Sequence, residues 1–342
     1  MTKPSATATT IRDIARRAKV SVATVSRVIN QTGPVAEATA ARVRAAMADL
    51  KYAPDVSAQR LATRRTNTLG LLLADIDGDF FAPMLSGIEA VTRAAGFDLL
   101  ISTAGGKPPC PDLPMPLGPH NTDGILIFAD SLEETCLRGY QAQDFPMVLI
   151  HASAPAGLDI PCVTVENKAA SRRLVEHLIE SHGCRHILFL HGPRDQEDSH
   201  WRELGYAEAL ENHGISLDPA LVAPGNFERG TAEATTTRLL AAGLAIDAVF
   251  AADDESAVGV YAALRAAGRR IPEDVAVVGF DDQRFSAYLT PPLTTVRAPT
   301  GEVGRAAAGQ LVRLVRGEAA DPLTMLPTEI VIRRSCGCKT DI

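Results

Sequence analysis

Residues 10–30, TIRDIARRAKVSVATVSRVIN, read as two short helices joined by a tight turn. Ile11, Ile14, Ala15 and Ala18 recur on one face at helical spacing, and Thr10 followed by Asp13 has the form of a capping box. Ser21 can cap the second helix, whose Val25, Val28 and Ile29 turn inward while Val22, Ala23, Ser26, Arg27 and Asn30 face outward. A third helix is expected around residues 36–49, with Val43, Met47 and Leu50 as its apolar stripe. Three small helices with a basic exterior predict a helix-turn-helix headpiece over residues 1–50.

Charge supports this division. Residues 1–65 hold 12 Lys/Arg against 4 Asp/Glu, a net +8, and the remainder holds 22 against 37, a net −15. Clustered positive charge favours a polyanion through counterion release, and an acidic body discourages indiscriminate binding elsewhere. At 342 residues, with 46% hydrophobic and 22% charged side chains, the chain is expected to form two or three globular domains. It has no apolar run long enough for a membrane span and no secretory signal, so a cytoplasmic protein without membrane contact is expected. Cysteines 110, 136, 162, 184, 336 and 338 are too scattered for a disulfide framework and read as reduced thiols.

Beyond the headpiece, residues 51–68 read as a hinge helix and linker: Pro54 can open a short helix running through Leu61, followed by a polar, basic stretch. From residue 69 the pattern becomes short apolar runs alternating with amphipathic segments. Strands are predicted at 69–74, 97–102, 124–128, 146–150, 186–190, 247–251 and 275–279, and helices at 83–95, 168–181, 202–212, 231–242 and 254–267. Such alternation predicts parallel, doubly wound sheets, with two lobes meeting near residue 163. Ligands then bind beyond the carboxyl ends of strands, in a cleft between the lobes. Residues 104–119 contain six prolines and are expected as an extended loop where a crossover helix would usually run.

The strings TVSRVIN, APDVSAQRLA, FFAPMLSGIE, GFDDQRFSAYLTPPLTTVR and RRSCGC, in this order along essentially the whole chain, resemble the LacI/GalR family of bacterial transcription regulators. The resemblance implies a periplasmic-binding-protein-like core over 69–342, with one lobe at about 69–163 and 292–325 and the other at about 164–291 and 326–342. It implies a repressor that binds a pseudo-palindromic operator as a homodimer. Val22, Ala23 and Arg27 fall on the family's base-reading positions, with Ser21, Thr24, Ser26 and Asn30 around them. Arg27 can donate two hydrogen bonds to guanine, whereas Val22 and Ala23 offer apolar contact or simply start the helix. Leu61 stands where the family drives a leucine into the minor groove, and Ala58 is small enough for two hinge helices to approach.

The resemblance also implies an effector site formed by Phe80, Phe81, His151, Gln196, Asp198, Arg202, Phe227, Asp253 and Asp281. Carboxylates and an arginine can share the hydroxyls of a sugar while an aromatic ring covers its apolar face, so a sugar or sugar derivative is the expected effector. A nucleobase is the alternative, although Gln196 stands where an arginine would suit an exocyclic oxygen. Other roles stay open: Asp281 capping the next segment, Arg202 pairing with a neighbouring carboxylate, Phe80 in the core. Glu166, where many relatives have aspartate, and Asp253, where asparagine or serine is frequent, are expected to make the cleft more acidic.

No GxGxxG, GxxxxGK[ST] or GxSxG motif supports an enzyme. Asp198, Ser199 and His200 are adjacent in sequence, which is not the spatial relay of a triad. A periplasmic sugar-binding protein shares the two-lobed core but not the basic headpiece. His182, Cys184 and His186 span a helix end entering a strand and read as packing, and Cys336 and Cys338 read as inert, so neither metal nor cofactor is expected.

Overall fold

The computed structural model describes residues 9–30, 33–52, 65–76, 78–105, 115–129 and 131–339. They form two compact units, divided between Thr66 and Asn67. Ala58, Leu61 and residues 106–114 of the proline-rich stretch lie outside the described residues.

The first unit contains α1 (Ile11–Ala18), α2 (Val22–Asn30) and α3 (Glu37–Asp49). The Asp13 carboxylate accepts from the Thr10 backbone N–H at 3.0 Å and from its hydroxyl at 2.7 Å, closing the start of α1. Lys19 turns the chain in the left-handed region at φ 51°, and the Thr24 N–H donates to Ser21 Oγ at 3.0 Å to start α2. Ile14, Val25 and Val43 are fully buried, with Ala15, Ala18 and Ala46 beside them. In α3 the fully packed positions belong to Ala40, Val43 and Ala46, and the expected Met47 and Leu50 lie half-buried at the margin. Alanine's small side chain lets α3 approach its neighbours closely, leaving the larger residues to seal the rim.

The second unit has two six-stranded sheets. The first lobe begins with β1 (Thr68–Leu73), α4 (Phe81–Ala95), β2 (Asp98–Thr103), β3 (Gly124–Phe128), α5 (Glu134–Gln141), β4 (Met147–Ile150) and β5 (Cys162–Val165). The second lobe runs through α6 (Lys168–His182), β6 (Ile187–His191), α7 (Glu197–Asn212), β7 (Val222–Pro224), α8 (Arg229–Ala241), β8 (Ala248–Ala251), α9 (Asp254–Ala266), β9 (Ala276–Asp281) and β10 (Thr294–Arg297). The chain then returns to the first lobe through α10 (Thr300–Val315) and β11 (Leu323–Leu326), and ends in the second with β12 (Glu329–Val331). Strand order is β11-β5-β4-β3-β1-β2 and β12-β10-β9-β8-β6-β7, parallel throughout except for β12 against β10. All six residues of β1 are buried, as expected of a strand covered on both faces.

The strands and helices predicted within the described residues are present, the hinge helix lies outside the described residues, and one lobe boundary shifts. The segment from residue 292, expected in the first lobe, contributes β10 to the second sheet through pairing of Thr294–Arg297 with Val278–Asp281. Four residues containing two threonines carry too little apolar pattern to announce a buried strand. Within the proline-rich region, described residues 115–122 are turns, and Leu117 is buried where its carbonyl accepts from the Tyr140 hydroxyl at 2.5 Å.

Glycines let three helix pairs approach backbone to backbone. A Cβ placed at Gly87, Gly205 or Gly259 would lie 2.2 Å from the carbonyl oxygen of Gly301, Lys168 or Arg229 on the facing helix. These contacts join α4 to α10, α6 to α7 and α8 to α9, and so set where the helices that frame the cleft can sit.

Candidate functional site

Two groups of residues present chemistry. On the headpiece, Ser21, Val22, Ala23 and Arg27 are exposed, and Thr24, Ser26 and Asn30 are half-buried. Val22, 42% exposed, leaves an apolar side chain at the start of α2, and Asn30 Nδ2 donates to Ser26 Oγ at 3.1 Å. Among the described residues no ion pair involves Arg27, whereas Arg16, Arg17 and Arg44 each have a carboxylate partner. Arg27 therefore has its guanidinium available for a phosphate or a guanine edge.

The second group lies in the cleft between the lobes, beyond the carboxyl ends of strands. Phe80, just before α4, meets Phe81 edge-on with centroids 5.3 Å apart, and Phe81 meets Phe128 of β3 at 5.2 Å. His151, following β4, packs against Phe128 at 5.6 Å and brings Nδ1 to 2.8 Å from Asp198 Oδ2 of α7. Neither buried ring nitrogen of His151 has an aligned hydrogen-bond partner among the described residues. A second link across the cleft joins Ser153, whose N–H and hydroxyl donate to Glu197 at 2.5 and 2.7 Å.

Arg202 is the centre of this group and is only 3% exposed. Its Nε donates to Asn167 Oδ1 at 2.9 Å and its Nη1 to the Ala252 carbonyl at 2.6 Å, while Nη2 lies 3.5 Å from Asp281 and 3.6 Å from Asp198. The guanidinium lies over the Phe280 ring, 3.8 Å from its centroid, and 5.6 Å from that of Phe227. Arg202 thus pairs with neighbouring carboxylates, one of the roles that the sequence left open. Phe227 fits only because position 192 is glycine: a Cβ there would come within 2.2 Å of the ring.

The acids differ sharply. Burial disfavours the charge on Asp198, but His151, Arg202 and the Asn167 amide outweigh it and hold the carboxyl below its usual range. Burial, reinforced by Asp281, pushes Asp253 up to about 7 although Ser256 and Glu255 donate their backbone N–H groups to it. Burial also raises Asp281, against the pull of Arg202 and His151. Asp253 is therefore a helix cap for α9 as well as a cleft acid. Glu166 departs from expectation: both of its oxygens accept backbone N–H groups, from Ala169 at 2.6 Å and Ala170 at 2.7 Å, so it caps α6 rather than acidifying the cleft. Gln196 stands at the start of α7, and among the described residues its side chain takes no part in the hydrogen bonding of the cluster.

Sequence reading missed Asn167, Phe128, Phe280, Ser153 and Glu197. Asn167 is separated from Asp198 and Arg202 by 31 and 35 residues, and only the packing of α6 on α7 brings them together. A backbone signal marks the same region: Ala129, His151, Asn226, Phe227, Asp281 and Asp282 are non-glycine residues with positive φ near the cleft ends of strands. A cavity of about 360 Å³ adjoins the cluster, sharing Phe80 and Asp281 with it and lined further by Arg284, Arg297, Glu302 and Arg305. Its size lies within the range of small-ligand sites.

A basic three-helix reader followed by a two-lobed core with a polar, aromatic-walled cleft defines a DNA-binding transcription regulator with an effector-binding domain. Comparison with known proteins gives the family. The pattern described as "Bacterial regulatory proteins, lacI family" matches residues 10–55, and "Periplasmic binding protein-like domain" matches residues 175–336. The chain is 33% identical over 335 residues to the transcriptional regulator CelR of Thermobifida fusca, covering 95% of this chain and 98% of the relative. It is 31% identical to the ribose operon repressor of Halalkalibacterium halodurans, covering 96% and 97%. Among solved structures, the CelR–cellobiose complex superposes with a TM-score of 0.69 at 31% identity, covering 96% of this chain and 99% of that one. The lac repressor dimer bound to operator and the anti-inducer ONPF superposes at 0.79 with 25% identity over the same shares. The chain belongs to the LacI family of bacterial transcription regulators, and it is a regulator rather than an enzyme. Among the described residues no helix is long and apolar enough to cross a membrane.

Proposed function

We propose that this regulator acts in the cytoplasm as a homodimeric repressor of a pseudo-palindromic operator, and that a sugar or sugar derivative in the cleft sets its affinity. The observation that carries the effector reading is the buried Arg202, held between Asp198 and Asp281 beside Phe227. A guanidinium and carboxylates in one place match the donors and acceptors of neighbouring sugar hydroxyls, and the aromatic wall of Phe80, Phe81 and Phe128 suits an apolar sugar face. Relatives whose names or titles mention cellobiose and ribose support the same class. His151 Nε2 offers the ligand a further polar contact, and Gln196 argues against a nucleobase.

For DNA, Ser21, Val22, Ala23, Thr24, Ser26, Arg27 and Asn30 supply the reading face, and Ala58 with Leu61 supply the minor-groove wedge by family resemblance. Dimerisation is supported by the dimeric lac repressor relative and by edge strand β2, which leaves Leu100 and Ile101 39% and 42% exposed. The ligand need only distinguish two states of the regulator by about 1–3 kcal/mol to switch operator occupancy.

The test is selection of sites from random duplex DNA with purified full-length protein, followed by a panel of sugars and nucleobases scored for change in affinity. A palindromic site with a flexible central step, and a response to a sugar, is expected. Leu61→Ala should weaken that site by on the order of tenfold or more, the wedge step being worth a few kcal/mol, while sparing effector binding. Response only to a nucleobase, or equal loss of both activities in Leu61→Ala, would overturn the corresponding assignment.

A further inference from the structure

The C-terminal segment ends against α6 in a way that the regulatory function does not use. His177 and His182, near the end of α6, meet Cys336 and Cys338, and one ligand atom from each of the four lies within 4.8 Å of all the others. Cys338 Sγ is 3.6 Å from His177 Nε2 and 3.4 Å from His182 Nε2. Zinc bonds of about 2.3 Å to sulfur and 2.0–2.1 Å to nitrogen, arranged tetrahedrally, place ligand atoms roughly 3.3–3.8 Å apart. The two Cys338 sulfur–nitrogen distances match that frame, and side-chain rotation can close the remaining gaps.

The surroundings are arranged for these four side chains. Ser181 Oγ lies 3.2 Å from His177 Nδ1, an outer partner that leaves Nε2 turned toward the thiols. Gly337, at φ +109°, lets the two cysteines on either side of it converge, and a Cβ there would press to 3.0 Å from His182 Nδ1. Cys336 is held from β10, where Thr294 Oγ1 donates to its sulfur at 3.2 Å, and Ser335 ties the same segment to β9 by donating to the Val277 carbonyl at 2.6 Å. His182, Cys184 and His186, which lie close together in sequence, do not form the cluster: Cys184 is buried in the core and His186 faces Asp247 at 3.5 Å.

We propose that His177, His182, Cys336 and Cys338 form a closed four-ligand site for a zinc-class divalent cation, which pins the C-terminal segment onto α6. Two imidazoles and two thiols are the donor set of structural zinc, whereas hard cations prefer oxygen ligands. On binding, the two thiols release their protons to solvent and the two thiolates balance the dication, so the filled site is neutral and requires no redox partner. The cation would link α6, β10 and the chain end. Since α6 also places Asn167 in the effector cluster at its other end, the pin would hold in register a helix that the cleft depends on.

The experiment uses the full-length protein, purified with reductant, stripped with chelator, loaded with zinc or cobalt and gel-filtered. One metal per chain is expected by elemental analysis, and the cobalt form should show thiolate charge-transfer and tetrahedral visible bands. Cys338→Ser and His182→Asn should each weaken zinc affinity more than about 100-fold, since even outer partners of metal ligands are worth 10–100-fold. Cys136→Ser, far from the cluster in sequence, should bind as the parent does. Far-UV circular dichroism identifies any variant that fails to fold, and the cobalt spectrum of the parent stands independently of the variants. Substoichiometric metal, or a cobalt spectrum lacking the thiolate bands, would overturn the site.

Discussion

Replacing Arg202 with methionine removes the charge and the donors but keeps an unbranched stem over Phe280. The guanidinium donates at 2.6–2.9 Å to Ala252 and Asn167 and lies 3.5–3.6 Å from two carboxylates, all away from water. Breaking a buried ion pair from one side costs about 3–5 kcal/mol, because the remaining charges are left without compensation. The deficit has a pH signature. Burial already raises the Asp281 carboxyl, and Arg202 is among the groups that pull it back down. In Arg202→Met the folded-state value rises further above the unfolded one, so stability is lost as pH rises from the unfolded value toward the folded one and is recovered as pH falls and the acid takes up its proton. The variant should therefore be several kcal/mol less stable than the parent at about pH 7.5, and closer to it at about pH 5.5. Trp201, the single tryptophan, neighbours Arg202 on α7 and donates to Glu197 at 3.0 Å, so its fluorescence in urea titrations reports on this site. Operator binding should persist while its response to effector disappears. A variant as stable as the parent would refute the compensation argument, and a preserved effector response would remove Arg202 from the ligand group.

Other expectations follow from single contacts. Asp253→Asn keeps a cap for α9 but removes an acid held at about 7, so it should reduce the loss of stability, up to about 1.4 kcal/mol per pH unit, that the parent suffers as pH rises from about 4 to 7; identical slopes in denaturation series would show that Asp253 is ionised in the folded protein. Asp254, which burial drives well above its ordinary value, leaves part of the slope in place. Ser21→Ala removes the acceptor for the Thr24 N–H and should cost the headpiece about 1 kcal/mol, lowering its melting temperature and operator affinity together; no change in either would refute the cap. Gly205→Ala, which by helix propensity alone would stabilise α7 by about 1 kcal/mol, should instead destabilise the protein by about 1–3 kcal/mol because its Cβ would lie 2.2 Å from the Lys168 carbonyl oxygen. A stabilised variant in urea titrations would overturn that contact.

Local chemistry was legible from residue order alone. The capping pair Thr10 and Asp13, the inward face of α2 and the apolar runs of β1, β3, β4, β6, β8 and β9 are properties of neighbours in sequence, governed by helical and strand periods that a linear pattern records. The basic headpiece and acidic body were legible for the same reason. Strands β5, β7, β10, β11 and β12 were not, because they are three or four residues long and are buried or paired only by partners distant in sequence. The 16-residue α10 also went unread, although it packs on α4 through Gly87 and Gly304.

Sites divide in the same way. Strand-end residues such as His151 and Asp281 were named through the family resemblance, and the fold rule that puts ligands beyond strand ends agrees with them. That Arg202 would be bound by Asn167, that Asp253 would be pushed up to about 7, and that Glu166 would be spent on capping α6 depended on three-dimensional neighbours. The cluster of His177, His182, Cys336 and Cys338 makes the point most clearly, because its two halves lie more than 150 residues apart, as the 156-residue span from His182 to Cys338 records. Sequence determines which residues repeat, cap and carry charge, because those depend on covalent neighbours; tertiary structure alone decides which charges are buried together and which donors share a centre, because desolvation and coordination depend on distance in space.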